Sequence, residues 1–80
     1  MTAAERDLLA AVLEALDIPN PATSDDEKVH DSILRHRAID ARIALRGVLQ
    51  EGDDPAWSAS YLRDRLAEMP AVGYRAWGQP

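Results

Sequence analysis

Ser32, His36 and Asp40 follow one another at intervals of four residues and have the types of a nucleophile, a general base and an orienting carboxylate. On a helix, this spacing lines them along one face. Acyl transfer also needs donors for an oxyanion and a turn that lifts the nucleophile into a cleft. The stretch "SILRHRAID" offers neither, because isoleucines and a leucine surround the polar residues and no glycine interrupts it. The three residues therefore read as polar positions on a regular helix, with His36 and Asp40 an ordinary intrahelical pair. If that pair were half-buried, it would tune assembly with pH, since histidine titrates near neutrality.

Asp26 and His30 repeat the same spacing with Asp31 beside them, and two such ligands make one edge of a metal site. The third and fourth ligands are missing locally, and His30 and His36 point to different faces. Cysteine is absent, which removes disulfides, thiolate nucleophiles and zinc–thiolate sites, and the four glycines are too scattered for a phosphate-binding loop. No catalytic residue, metal ligand or cofactor-binding residue is assigned, and the expectation is a protein that is not an enzyme and carries no cofactor.

Cations are the next candidates. Lys28, Arg35, Arg42 and Arg46 fall within about 40° of each other on a helical wheel. Such an edge could follow phosphates. Against this, the net charge is -5, and residues 1–31 hold eight acids against Arg6 and Lys28. An acidic envelope removes the long-range attraction that nucleic-acid binding uses, and no helix-turn-helix spacing is visible. A small DNA-associated regulator using Arg35, Arg42 and Arg46 is thus the alternative reading. Arginine outnumbers lysine eight to one and alanine is abundant, a bias that fits a GC-rich bacterial genome and is demanded by no site.

Three elements position these residues. Thr2 and Glu5 have capping-box spacing, Leu8, Leu9, Val12, Leu13 and Leu16 recur helically, and Pro19 and Pro21 end the run, which predicts a helix over about 3–17. Ser24 with Glu27 repeats the box, and no proline or glycine intervenes before Gly47, which predicts a long helix over about 26–50, roughly 37 Å at 1.5 Å per residue. Gly52, Asp54 and Pro55 suit a left-handed cap, an N-cap and a first helical position, and Pro70 closes a third helix over about 55–68. An irregular tail follows over 69–80. No strand alternation or repeat is present, so the fold class is all-α: one domain, a three-helix bundle with a long central second helix.

On the wheel, the second helix carries apolar residues on two sides. Leu34, Ala38, Ala41, Leu45, Val48 and Leu49 form one face, and Val29, Ile33, Ile39 and Ile43 form a broad second arc, with the arginines at the seam. Two shorter helices have few large side chains to cover both, and an 80-residue chain buries only about 60% of its unfolded surface. The expectation is a homodimer formed through a two-fold contact between long helices. Trp57 and Tyr61 lie one turn apart, and either the tail folds under, with Val72, Tyr74 and Trp77 hooking back onto the helices and its aromatics stacking on the pair, or they form a patch for another protein. The predicted interaction residues are Ile33, Ile39, Ile43, Arg35, Arg42, Arg46, Trp57, Tyr61 and Trp77, in a cytoplasmic, non-enzymatic interaction module. An acidic N-terminal segment and the lack of a long apolar run argue against secretion and against a membrane partner.

Overall fold

The computed structural model describes residues 1–78, so the last two positions of the predicted tail lie outside it. It contains three helices, α1 (Ala3–Leu16), α2 (Ser24–Glu51) and α3 (Pro55–Glu68), which pack against one another as an all-α three-helix bundle, with no strand among the described residues. The molecule measures 41 × 19 × 17 Å, and its long dimension is the length of α2.

The caps explain where the helices begin and end. Thr2 accepts from the Glu5 N–H while Glu5 accepts from the Thr2 N–H, which closes the capping box on α1. Gly52 adopts φ 72° to end α2, and Asp54 accepts from the Ala56 N–H in front of Pro55 to start α3. At α2 the cap sits one residue earlier than the sequence spacing suggests, on Thr23 with Asp26 instead of Ser24 with Glu27. The reason is tertiary. Asp26 Oδ2 accepts from the Thr23 N–H and hydroxyl, and its Oδ1 accepts from the Arg75 N–H, a residue the sequence assigns only to an irregular tail.

That tail runs back along the α1–α2 loop. The Ala22 N–H donates to the Arg75 carbonyl, the Trp77 N–H to the Asn20 carbonyl, and the Tyr74 hydroxyl to the Pro19 carbonyl at 2.6 Å. Tyr74 also meets the buried His30 edge to face at 5.4 Å. The tail therefore closes the end of the bundle opposite Trp57 and Tyr61 and stacks nothing on them.

The core is small. Leu8, Leu62 and Leu66 pack with Ala11, Ala15, Ala41, Ala44 and Ala59, and Leu62 is the only large apolar side chain below 2% exposure among the described residues. Alanine at the helix crossings lets backbones approach closely but contributes little apolar area. Between α1 and α3, Arg63 reaches Asp7 at 2.9 Å and Glu14 at 3.4 Å, an exposed clamp of modest value.

One polar side chain crosses this core. Arg37, only 8% exposed, donates from Nε to the Met69 carbonyl at 2.9 Å and from Nη1 to the Glu14 carbonyl at 3.1 Å, with Ala15 at 3.5 Å. These carbonyls lie at the C-terminal ends of α1 and α3, where backbone acceptors lack helical partners and the helix dipole is negative. The last turn of α1 has no basic residue of its own, and the cation comes from the middle of α2.

Two predictions follow from these contacts. Arg37→Ala leaves part-buried helix-end carbonyls unpaired and empties a buried position, and should lower stability by about 2–4 kcal/mol. Arg37→Lys keeps the charge but loses the planar fork, so its urea midpoint should lie between those of the parent and the alanine variant. Asp26 is held below its ordinary value of 3.8, first by the Thr23 side chain and then by the Arg75 N–H. Its stabilising contribution is therefore complete above that value and is lost as pH falls through the depressed one. Protection of the Arg75 amide against hydrogen exchange should disappear over that acid range in the parent and be low at every pH in Asp26→Asn.

Candidate protein-interaction site

The catalytic and metal spacings are taken up by structural contacts. His36 is exposed and its Nδ1 lies 2.8 Å from the Ser32 carbonyl, so it bonds backbone and not the serine hydroxyl. Asp40 is buried and turns to α3, where Arg65 Nε approaches at 3.4 Å. The expected His36–Asp40 pair does not form, because the helix places one residue in solvent and the other against α3. Asp26 is occupied by Thr23 and Arg75, and the buried His30 pairs with Asp31 at 2.8 Å. Among the described residues, no cluster of three or more His, Cys, Asp or Glu side chains could hold a metal.

The predicted interaction residues divide into three groups. Ile33 is 6% exposed and belongs to the interior, beside Arg37 on the inward stripe of α2, so the surface must be built without it. Trp77 is exposed at the tail end, away from the others. Ile39, Ile43, Arg42, Arg46, Trp57 and Tyr61 come together on the C-terminal half of α2 and the N-terminal half of α3, with Arg35 further along the same solvent-facing side of α2.

There, Trp57 and Tyr61 stack nearly parallel, 5.7 Å between centroids and 11° between planes. Their i,i+4 spacing on α3 brings the rings into register. Trp57 remains 60% exposed, and Ile39 and Ile43 are about half exposed across the groove. The groove has a volume of about 430 Å³ and is bounded by Ile43, Arg46, Glu51, Asp53, Trp57 and Tyr61. Gly47 forms part of its floor, and a side chain there would collide with the Asp53 carboxylate.

Beneath the rings lies Ser58, whose buried Oγ has no hydrogen-bond partner among the described residues. The groove is electrostatically uneven. Glu51, Asp53 and Asp54 gather at the C-terminus of α2, whose dipole adds negative potential. Arg42 and Arg46 flank the other side, and neither they nor Arg35 form an ion pair among the described residues. Ser58 Oγ is hydrogen-bonded to neither Glu51 nor Asp53. What the groove offers is an apolar strip with an aromatic platform between opposite charges.

Comparison with protein-family models, with curated proteins and with solved structures returned no match. No helix of the described residues is long and apolar enough to cross a membrane.

The residue that sequence reasoning passed over is Arg37. Its signal was position: with His30, Ile33, Ala41 and Ala44 it falls at helical spacing on the stripe that becomes the core, while the other three arginines of α2 fall elsewhere.

Removing an unpaired buried hydroxyl relieves a desolvation penalty, so Ser58→Ala should be neutral or stabilising by about 1 kcal/mol. Trp57→Ala, which empties an exposed position, should change the urea midpoint by less than the equivalent of about 1 kcal/mol. A large loss in Trp57→Ala would show that the stacked pair serves the fold itself, and one in Ser58→Ala that its hydroxyl is in fact paired.

Proposed function

We propose that this chain is a non-enzymatic helical protein–protein interaction module that docks a segment of another protein in the α2–α3 groove. The observation that carries this reading is the stacked, exposed Trp57–Tyr61 pair beside exposed Ile39 and Ile43, in a domain that builds most of its interior from alanine. Full burial of one large apolar side chain contributes about 1.5–3 kcal/mol, and here several such side chains stay outside. Trp, Tyr and Arg at one location are the types that anchor interfaces.

The charges describe the occupant. Its apolar side chains cover Ile43 and Tyr61, a basic residue meets Glu51, Asp53 and the Trp57 indole face, and an acidic residue meets Arg42 or Arg46. An amphipathic helix presents such residues at i, i+3 and i+4. Such a segment gains most of its affinity at the aromatic anchor.

A second reading, a small DNA-associated regulator, is favoured by one observation: Arg35, Arg42 and Arg46 lie on one edge and form no ion pair among the described residues. It predicts binding that falls steeply with salt and is lost in the Arg35→Ala/Arg42→Ala double variant.

Quantitative capture from native lysate, with a nuclease-treated sample in parallel, distinguishes the two. For the interaction module, capture should resist nuclease, and the partner so identified should bind Trp57→Ala about 30-fold or more weaker than the parent. Capture that vanishes with nuclease and is unaffected by Trp57→Ala would overturn the first reading in favour of the second.

A further inference from the structure

A second apolar surface lies on the other side of the Arg42–Arg46 ridge. α1 packs more extensively on α3 than on α2, and the loosely packed α1–α2 side leaves a groove of about 300 Å³ lined by Val12, Leu16, Ala38, Leu45 and Leu49. Toward the end of α2 it continues between Leu9 and Leu49. Leu9, Leu13 and Leu16 form a row along α1, and Leu13 and Leu49 are 63% and 80% exposed. This row uses the helical spacing that ordinarily faces a core, yet its leucines stay about half exposed or more among the described residues.

We infer that a second copy of this chain covers the α1–α2 groove, each copy laying its α1 leucine row on the other's α2. The first support is area. The chain exposes 5536 Å², against about 4,800 Å² for a compact monomer of this mass. The difference, about 700 Å², is close to the roughly 800 Å² each partner hides in a standard interface. The radius of gyration agrees, 13.9 Å against about 11.6 Å for a compact chain of this length. Side-by-side pairing would hide surface along the long flank of the bundle, where the α1–α2 groove lies.

The second support is charge. A two-fold axis running along the groove sets each α1 antiparallel on the other copy's α2 and preserves height along the bundle. Within one chain, α1 returns antiparallel to α2 through a short loop, with Met1 and Glu5 lining the groove beside Leu49, and Leu16 lining the groove that includes Ala38. The axis therefore brings Glu5 of the second copy toward the end of α2 that carries Arg46, and Asp17 of the second copy toward the middle of α2, near Arg35. Arg35, Arg42 and Arg46 have no ion-pair partner within the chain among the described residues. The contact is self-complementary: leucines on leucines, with acids of α1 against cations of α2. It differs from a contact through Ile33, Ile39 and Ile43, because Ile33 is interior and the other two face the α2–α3 groove.

The test is sedimentation velocity from 5 to 200 µM, with circular dichroism as the check on folding. The parent should sediment at twice the 8.8 kDa chain mass at the upper concentrations. Leu13→Lys/Leu49→Lys changes two exposed positions, so helicity should be retained while the dimer dissociates at least 100-fold more readily. Ile43→Lys and Trp57→Ala should leave the dimer intact, which separates this surface from the partner groove. A parent that remains monomeric throughout overturns the inference. So does a dimer that survives Leu13→Lys/Leu49→Lys, or one that is broken by Ile43→Lys.

Discussion

A single guanidinium sets the geometry of this bundle. Arg37 leaves the middle of α2 and ends on carbonyls at the C-termini of both α1 and α3. A cation this deeply buried is tolerable only when its N–H donors are well used, and free carbonyls at a helix end are costly unless something donates to them. Each need meets the other at one place. Because the same residue reaches both short helices, their C-terminal ends are gathered on one side of α2. Arginine suits this role better than lysine, since its planar fork presents several N–H directions from one group.

Gathering α1 and α3 on one side of α2 leaves the opposite side bare. The inward stripe runs through His30, Ile33, Arg37, Asp40, Ala41, Ala44 and Gly47, while Arg35, Arg42 and Arg46 point outward with a row of apolar residues on each margin. Two helices of 14 residues cannot wrap one of 28. The alanine-rich crossings compound this, because close backbones leave no room for large side chains inside, and Leu9, Leu13, Ile39, Ile43 and Trp57 remain outside. The two grooves flanking the arginine ridge are consequences of the same packing that makes the core thin.

Most of the element pattern was legible in the sequence because capping is local chemistry. Thr2 with Glu5, Gly52, and Asp54 before Pro55 each act within a few residues, and each stands where its spacing indicates. What failed was long-range. The N-cap of α2 moved to Thr23 because Asp26 also binds Arg75, 49 residues away. Ile33, Ile39 and Ile43 share a broad arc on a wheel, but only α3 and the tail decide which part of it is inside, and Ile33 went in while the other two stayed out. Arg37 was hidden by its residue type: an arginine beside core positions is read as solvated unless the carbonyls it will meet are known. The aromatic pair was correctly placed one turn apart, but its freedom from the tail was a tertiary fact, set by Pro21 and Ala76 pairing at the other end.

The thin core and the bare surfaces also bear on what association would do for the fold. Covering the exposed side chains of Leu13 and Leu49 contributes up to about 1.5–3 kcal/mol each before the costs of association. The leucine row on α1 lies on the helix that Arg37 ties to α2, so a partner covering Leu13 and Leu49 would press α1 onto the same seat that Arg37 secures from within. Folding and association are then one linked equilibrium, in which ligation of the folded form raises its apparent stability with concentration. In the proposed dimer, the exposed leucines would thus be part of the fold's own energetics.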